Sequence, residues 1–346
     1  MRYLRIHAVV LAILLLLALF AFSPSDLKII TVAVPKGWPQ PAYEFSKFPL
    51  TEDGFQLGRK LFYDPILSRD GTISCASCHN QSTGFTHVDH AHSHGIEGRK
   101  GTRNTPALMN LVWNKSFMWD GAINHIEVQA LAPITNPMEM DETLEHVVKK
   151  LNASAVYRRQ FDKAFGDSVI TGQHLLLAIT QFVIQLNSSN SKYDQHIRKE
   201  AGGKFTSEEE HGLKLFRKNC AACHTEPLFT NGLFENNGLP LDDSIKDLGR
   251  MKISQRPDDS LKFKVPTLRN IQYSAPYMHD GRFSRLSQVV NHYTGGIVRS
   301  RTLSEKLNQP VELTEPEKKD LIAFLMTLTD REFLLNLRFS YPKESK

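Results

Sequence analysis

All four cysteines of the chain lie in two short motifs of the form Cys-x-x-Cys-His. Two thiols on one helical turn can add to the two vinyl groups of a haem, and the imidazole of the next residue can then bind the iron. A zinc site, a redox-active cysteine pair or a disulfide would have to arise twice, each time with a histidine directly after the second cysteine. We therefore predict two covalently bound c-type haems. The first motif is formed by Cys75, Cys78 and His79, and the second motif by Cys220, Cys223 and His224.

Similar segments flank the two motifs. Gly-Arg-Lys-Leu-Phe at 58–62 precedes the first motif, and Gly-Leu-Lys-Leu-Phe at 212–216 precedes the second. Downstream, the Asp-Gly turn within Trp119–Ala122 recurs within His279–Arg282. These repeats indicate that a unit binding one haem was duplicated.

The chain resembles the bacterial di-haem cytochrome c peroxidase family, which includes the MauG-type enzymes. The resemblance extends from about Leu50 to Leu335, and besides the two motifs it depends on four further segments. These are Phe117–Gly121, Asn136–Met140, Val265–Asn270 and Ala275–Gly281. The resemblance implies a mainly α fold with two cytochrome-c-like domains, each with one covalently bound c-type haem, joined by long loops.

The resemblance also implies an activity, the reduction of hydrogen peroxide to water at the first haem. Electrons would enter through the second haem from a small donor protein such as a cytochrome c or a copper protein. Family members are often homodimers. Two alternatives stay open: a MauG-like enzyme that oxidises side chains of a partner protein, and a di-haem electron carrier without catalysis, in which both haems are six-coordinate.

Three residues of the first half match catalytic positions of the family. Glu139 matches the glutamate beside the peroxide-binding haem, where a carboxyl group can move a proton from one peroxide oxygen to the other. Gln129 precedes it at another position of that pocket, as does Pro133. Trp119 matches the tryptophan that the family places between its haems, where an indole can carry an electron and also fill the space.

A calcium site is also implied by the resemblance. The family holds this ion between its domains with an asparagine side chain and main-chain carbonyls, which are ligands that suit calcium. Asn104, Ser274 and Pro276 match those positions. Ser274 replaces the family's usual threonine, and this change is harmless if the ligand is the carbonyl.

The sixth position of the second haem departs from the peroxidases that receive electrons from small proteins. Those enzymes have a methionine ligand where this chain has Tyr293, and MauG-type proteins have a tyrosine. A phenolate ligand favours ferric iron and would lower the potential of this haem. Alternatively Tyr293 packs in the core, and Met278, His279 or His292 binds the iron. Of these, His279 is more suited to a structural position between the haems.

Four histidines follow the first motif in a polar loop, His87, His90, His92 and His94. In some family members a histidine of this loop blocks the peroxide site until the second haem is reduced, and His94 lies near the expected position. The alternative is that these side chains are solvated or bind metal adventitiously.

Apolar periodicity predicts helices over Leu144–Phe165 and Leu175–Leu186, and two capping boxes predict helices that begin after Thr206 and Thr314. The segments 64–140 and 225–283 are rich in turn-forming residues and predict loops. We expect an N-terminal haem domain over 45–200 and a C-terminal one over 201–335, with Gln195–Phe205 as the linker.

The amino terminus predicts export. Arg2 and Arg5 precede an apolar run, Ala8–Phe22, which is too short for a typical spanning helix. We expect residues 1–25 to be a signal peptide or an uncleaved anchor. The protein is therefore expected to be periplasmic. The formal charge of +5 falls to about +3 without the two arginines, so nothing indicates nucleic-acid binding.

Overall fold

A computed structural model describes residues 28–309 and 311–342, so the predicted leader at 1–25 lies outside the described residues. Helices predominate, and the described part of the chain adds one antiparallel two-stranded sheet. The predicted mainly α fold is confirmed. Within these residues no helix has both the length and the apolar character needed to cross a membrane. The helices are α1 (Glu52–Tyr63), α2 (Cys75–Cys78), α3 (Leu131–Thr135), α4 (Leu144–Ala153), α5 (Ala155–Phe165), α6 (Gly172–Val183), α7 (Lys192–Ile197), α8 (Ser207–Asn219), α9 (Met251–Ser254), α10 (Leu286–Asn291), α11 (Glu315–Met326) and α12 (Arg331–Leu335), and the strands are β1 (Phe234–Glu235) and β2 (Phe263–Lys264).

The same helix pair occurs twice. In the first repeat, residues 52–183, α1 packs against α6, and in the second repeat, residues 207–326, α8 packs against α11. Each pair crosses at a glycine whose missing side chain permits the contact. A Cβ on Gly58 would lie 1.9 Å from the Ala178 carbonyl oxygen, and a Cβ on Gly212 would lie 2.0 Å from that of Asp320. The duplication seen in the sequence is therefore present in the packing.

The loops downstream of the motifs repeat as well. Asn110 and Asn270 both have φ of 57° and both precede a short 3₁₀ turn. Met118 and Met278 have φ of 66° and 76° before their Asp-Gly turns. Such values are uncommon for residues other than glycine, so their recurrence at matching positions shows that each loop keeps one specific conformation.

Most of the predicted helices are present. Both capping boxes are formed, with Thr206 and Glu209 at the start of α8 and Thr314 and Glu317 at the start of α11. The single helix predicted over Leu144–Phe165 is wrong, because Ser154 interrupts it. The Ser154 hydroxyl accepts a hydrogen bond from the backbone N–H of Tyr157 and caps α5, which separates this helix from α4.

The carboxy-terminal segment returns to the first repeat. Phe333 of α12 packs on Phe85 with ring centroids 5.7 Å apart. Gln81 donates a hydrogen bond to the Asn336 carbonyl, and Tyr63 donates one to that of Phe339. The core under the first motif is therefore completed by the end of the chain.

Candidate haem sites and the interface between the repeats

The first motif lies on α2, with His79 directly after the helix. Nδ1 of His79 is 2.9 Å from the carbonyl oxygen of Phe85. Since a carbonyl can only accept, Nδ1 carries the proton and Nε2 keeps its lone pair for a metal. Burial lowers the pKa of His79 to about 4, which also favours the neutral imidazole that iron requires.

The second motif has the same arrangement. Nδ1 of His224 lies 3.2 Å from the carbonyl oxygen of Phe229 and 3.1 Å from that of Pro266. Burial lowers the pKa of this imidazole too. Phe85 and Phe229 are both fully buried and both have positive φ, of 59° and 54°. Each repeat therefore directs a main-chain carbonyl towards the histidine of its motif.

A cavity of about 560 Å³ lies beside the second motif. It is lined mainly by apolar and aromatic side chains, and Cys220, Cys223 and His224 form part of its wall together with Tyr293 and Met278. A flat apolar macrocycle joined to two thiols and bound by one imidazole requires these neighbours. The residues present at the second motif therefore fit a c-type haem.

Tyr293 lies in a π-helical turn, His292–Gly296, that follows α10. Burial raises the pKa of its phenol to about 12, although a hydrogen bond with Asn237 acts in the opposite direction. Tyr293 and the residues of the second motif line the same cavity, so Tyr293 is placed where an iron ligand could lie. A bound metal ion would reverse the effect of burial and favour the phenolate.

The alternative ligands are placed differently. Nε2 of His292 lies 2.9 Å from the Asn237 carbonyl oxygen, so this nitrogen is already engaged. His279 stacks on Phe263 with ring centroids 3.6 Å apart. Met278 also lines the cavity, and its sulfur accepts a hydrogen bond of 3.6 Å from the Asn237 side chain. His279 lines the cavity as well, so Tyr293, Met278 and His279 remain candidates for the sixth position, whereas Nε2 of His292 is engaged.

Glu139 lies close to the first motif. Burial raises the pKa of its carboxyl group above the usual range, and the hydrogen bond of 2.8 Å from Asn136 offsets this only in part. Burial also raises the pKa values of Cys75 and Cys78, and the charge of Glu139 raises both further. An acid that keeps its proton to higher pH than usual therefore lies beside the first motif.

The segment around Glu139 is held by close backbone packing. The Glu139 carbonyl accepts a hydrogen bond of 2.8 Å from the Ile96 N–H, and a Cβ on Gly95 would lie 2.2 Å from the Met138 carbonyl oxygen. Gln129 lies nearby in sequence but turns to another neighbour, since its amide donates to the Met118 sulfur at 3.8 Å. Gln129 is therefore next to the residue that precedes Trp119.

Trp119 is held by both repeats. Its indole N–H donates to the Asn104 carbonyl at 2.8 Å, and its own carbonyl accepts a 2.7 Å hydrogen bond from the Lys264 N–H. The matching bond runs the other way, because the Asn104 N–H donates to the His279 carbonyl at 2.7 Å. Trp119 and His279 occupy equivalent positions in the two repeats, as do Asn104 and Lys264, so the repeats exchange equivalent hydrogen bonds.

The three residues predicted to bind calcium line one cavity. Asn104, Ser274 and Pro276 all border the cavity of the second motif. The Asn104 amide nitrogen donates to the Ala91 carbonyl at 2.9 Å, which leaves its side-chain oxygen for another partner. This arrangement is compatible with oxygen ligation by these residues.

Three of the four histidines of the polar loop, His87, His90 and His94, form one cluster. Nε2 of His90 lies 3.0 Å from Nδ1 of His94, and His87 packs on His90 with ring centroids 4.8 Å apart. His87 is near enough to His79 to lower its pKa. The buried Nε2 atoms of His87 and His92 have no hydrogen-bond partner within the described residues. The loop therefore lies next to the first motif.

Several residues that shape these sites had no signal in the sequence. Phe85 and Phe229 act through their carbonyls, which side-chain type does not reveal. Asn237 lies in a predicted loop and contacts three candidate ligands. Lys264 is enclosed beside Trp119, where burial lowers the pKa of its ammonium to about 8.

Comparison with known proteins agrees with this geometry. Residues 52–202 match the sequence profile described as di-haem cytochrome c peroxidase, and residues 209–329 match that of cytochrome c. The methylamine utilization protein MauG of Methylorubrum extorquens is 36% identical over 291 residues, which cover 81% of this chain and 79% of the relative. The chain belongs to the di-haem cytochrome c peroxidase and MauG family. The family implies two c-type haems, in agreement with the two motifs.

Other members of the family are similar to the same extent. Cytochrome c551 peroxidase of Nitrosomonas europaea is 35% identical over 284 residues, which cover 81% of each chain. A solved structure of a MauG-like protein associated with microbial copper homeostasis has a TM-score of 0.81 and 33% identity, and covers 90% of this chain and 99% of that one. The diheme peroxidase BthA from Burkholderia thailandensis, at 21% identity and a TM-score of 0.73, shares the fold.

Proposed function

We propose that this protein is a di-haem peroxidase that reduces hydrogen peroxide to water, with electrons from an external donor that enter through the haem of the second motif. The observation that carries the proposal is the buried carboxyl group of Glu139 beside the first motif, with its raised pKa. A plain electron carrier needs no such acid at its haem. Perturbed carboxyl groups of this kind are typical of catalytic sites.

Each motif would hold one haem through its two thiols and its histidine. The bound iron supplies the redox chemistry of peroxide cleavage. The carbonyls of Phe85 and Phe229 fix the imidazole orientation and increase the basicity of Nε2, as second-shell acceptors do in metal sites. The two cysteine pairs would attach the two haems covalently, and the mainly apolar wall of the cavity would give the second haem an apolar environment.

Glu139 would move protons. Reduction of peroxide requires that a proton leaves the oxygen that binds first and reaches the oxygen that departs as water. A carboxyl group with a raised pKa can accept the first proton and return it within one turnover. The hydrogen bond from Asn136 holds the carboxyl group in place, and the packing at Gly95 holds the segment that carries it.

Trp119 would conduct electrons between the two haems. Trp119 borders the cavity of the second motif, and its main-chain carbonyl accepts a hydrogen bond from Lys264 of the second repeat. The hydrogen bond from the indole N–H to the Asn104 carbonyl fixes the position of the ring. Gln129 would support this position through Met118.

Tyr293 favours a second candidate function. A phenolate at the second iron would stabilise high oxidation states, which suits a MauG-like enzyme that stores oxidising equivalents and removes electrons from side chains of a partner protein. The 36% identity to a MauG protein and the 35% identity to a cytochrome c551 peroxidase do not separate the two functions. The donor in the first case would be a small cytochrome c or copper protein.

The proposal also includes a bound calcium ion and a periplasmic location. Asn104, Ser274 and Pro276 would hold one calcium ion between the repeats, close to Trp119 and the exchanged hydrogen bonds. The oxygen donors suit this ion. Covalent haem attachment takes place outside the cytoplasm, so we propose a periplasmic enzyme, either free or held at the inner membrane by its amino terminus, and either a monomer or a homodimer.

The test is steady-state consumption of hydrogen peroxide by the haem-loaded protein, with a reduced cytochrome c as donor. We expect Glu139→Gln to lower kcat by about 100-fold or more, because proton transfer in the transition state contributes that much. Glu145→Gln is the matched control, since Glu145 is exposed on the first turn of α4 and should leave turnover unchanged. Equal turnover in the two variants would contradict the role of Glu139.

The same assay separates the alternatives. An electron carrier would consume peroxide slowly and equally in all three proteins. A MauG-like enzyme would form a long-lived oxidised species with peroxide that the cytochrome discharges slowly. In that case a partner protein with oxidisable tyrosine or tryptophan side chains becomes the substrate to identify.

A further inference from the structure

Tyr193 lies beneath the second motif in a setting that the peroxide chemistry above does not use. Its ring is buried, with 3% exposure, and packs edge-on against Phe229 with ring centroids 4.8 Å apart. The carbonyl of Phe229 accepts the hydrogen bond from Nδ1 of His224. A single side chain therefore separates the Tyr193 ring from the peptide group that holds the histidine of the second motif.

The Tyr193 hydroxyl has one acceptor, a carboxylate. It donates to Oε1 of Glu226 at 2.5 Å, and Arg217 binds both oxygens of the same carboxylate at 3.0 Å. The Glu226 carboxylate therefore accepts three hydrogen bonds, two of them from a guanidinium, which is the geometry of an ionised carboxylate. Burial and the nearby carboxylate raise the pKa of the phenol. At rest the pair is therefore a neutral phenol and an ionised carboxylate.

This pair is arranged for coupled loss of an electron and a proton. An oxidised phenol is a far stronger acid than a carboxylic acid, so it loses its proton at once if a base is within hydrogen-bond distance. Glu226 is that base. Arg217 is half-exposed and the Glu226 side chain is 23% exposed, so the accepted proton can exchange with solvent.

We propose that Tyr193 is an internal one-electron donor to the haem of the second motif, with Glu226 as the proton acceptor. This inference depends on the proposed function for its oxidant, hydrogen peroxide. One electron passes from the ring to the oxidised haem, the O–H bond of Tyr193 breaks, and the proton forms a new O–H bond on Oε1 of Glu226. Tyr193 thus supplies one of the two electrons that peroxide takes, and the neutral tyrosyl radical is later reduced by the external donor.

The chain contains a matched control. Tyr157 is also buried, with 4% exposure, and also donates to a carboxylate, that of Asp64. It lies on α5 of the first repeat, where the phenylalanine that holds His79 packs against Phe62, Phe182 and Phe333. Tyr157 therefore has a buried hydrogen bond to a carboxylate, as Tyr193 does, but it does not pack on Phe229.

The test is electron paramagnetic resonance of the haem-loaded protein frozen within milliseconds after one equivalent of hydrogen peroxide. We expect a tyrosyl radical whose signal narrows when the tyrosine rings are deuterated. The signal should be lost in Tyr193→Phe and unchanged in Tyr157→Phe, and Glu226→Gln should lower its yield by about tenfold or more, because glutamine cannot accept the proton. Haem absorption spectra and thermal unfolding would verify that each variant is folded.

A radical that persists in Tyr193→Phe would overturn the proposal, and so would the absence of any tyrosyl signal in the wild type after peroxide has oxidised the haems. Failure of the peroxide chemistry itself looks different, since peroxide would then leave the haem spectrum unchanged. A MauG-like enzyme would still oxidise its haems with peroxide, so the same radical measurement tests Tyr193 in that case. Photochemical oxidation with ruthenium tris-bipyridine and an electron-accepting quencher supplies the hole without peroxide. In that experiment, a radical at Tyr193 supports the assignment and its absence overturns it.

Discussion

The histidines of the two motifs have the same main-chain support but different side chains beneath them. Phe85 is surrounded by other phenylalanines, Phe62, Phe182 and Phe333. Phe229 packs on Phe216 and Phe324, but also on Tyr193 and the guanidinium of Arg269. The underside of the first site is therefore apolar, and that of the second contains groups that carry charge and protons.

The equivalent residues Met109 and Arg269 show this difference most directly. Both are buried, with 2% and 1% exposure, and both directly precede the asparagine with left-handed backbone. Arg269 is compensated by a bidentate bond to Asp194, with both N–O distances 2.8 Å. Under the proposed function, the haem that meets peroxide would therefore have an apolar support, and the haem that receives electrons would have a charged one.

Arg269→Met would give the second repeat the residue of the first. We expect it to reduce the free energy of unfolding by about 3–5 kcal/mol, because Asp194 keeps a buried charge without its partner. Chemical denaturation of the haem-loaded protein measures this. Adding Asp194→Asn to Arg269→Met should recover part of the loss. If Arg269→Met alone is as stable as the wild type, the buried ion pair of the second repeat contributes no more stability than the methionine of the first repeat.

Gly58→Ala and Gly212→Ala test what the repeats share. Each new Cβ would meet a carbonyl oxygen, at 1.9 and 2.0 Å, so the helices of each pair must separate. We expect a loss of about 1–3 kcal/mol or more in each variant, as in other overpacked contacts. Thermal unfolding of the two proteins should show similar losses, and tolerance of one substitution alone would break the equivalence of the two helix crossings.

The pH dependence of the peroxide reaction tests the first site. The raised pKa of Glu139 means that the carboxylate needed to accept the peroxide proton is lost as the pH falls through that value. The second-order rate constant with peroxide should therefore fall about tenfold per pH unit below the raised pKa and level off above it. Stopped-flow measurements on Glu139→Gln should show no such limb, and an unchanged profile would exclude Glu139 as the base.

Tyr293→Phe should have the smallest effect on the peroxide rate, because Tyr293 lines the cavity of the other motif. Its effect should appear in the potential of the second haem, which rises when an anionic ligand is removed. Spectroelectrochemical titration measures both haems separately. If both potentials stay constant, Tyr293 only packs, and Met278 becomes the ligand to test.

Features of the fold that depend on residues close together in the sequence could be predicted, and features that depend on distant residues could not. The capping boxes at Thr206 and Thr314 depend on residues three positions apart, and both are formed. The break at Ser154 was missed because the apolar period continues through it, and only the hydroxyl reveals the second helix start. Tyr193 lies 33 residues from Glu226 and was not identified, since nothing local indicates that they meet.

The candidate site divides in the same way. Residues that act through their side chains within a motif, such as His79 and Glu139, could be proposed from their type and their neighbours. Residues that act through main-chain atoms could not, because the carbonyls of Phe85 and Phe229 differ from others only in the backbone path that aims them. The equivalence of Trp119 and His279 follows from the repeated Asp-Gly segments, but the hydrogen bonds that these two residues make across the repeats are known only from the fold.

The hydrogen bonds exchanged between Asn104 and His279 and between Lys264 and Trp119 have the form of an isologous contact, in which position i of one copy meets position j of the other and the reverse. A symmetric homodimer of a one-haem ancestor would have this interface. Two copies joined in one chain are free of that symmetry, because a change in one copy is not repeated in the other. Each interface position could specialise separately, which accounts for a tryptophan facing a lysine on one side and a histidine facing an asparagine on the other.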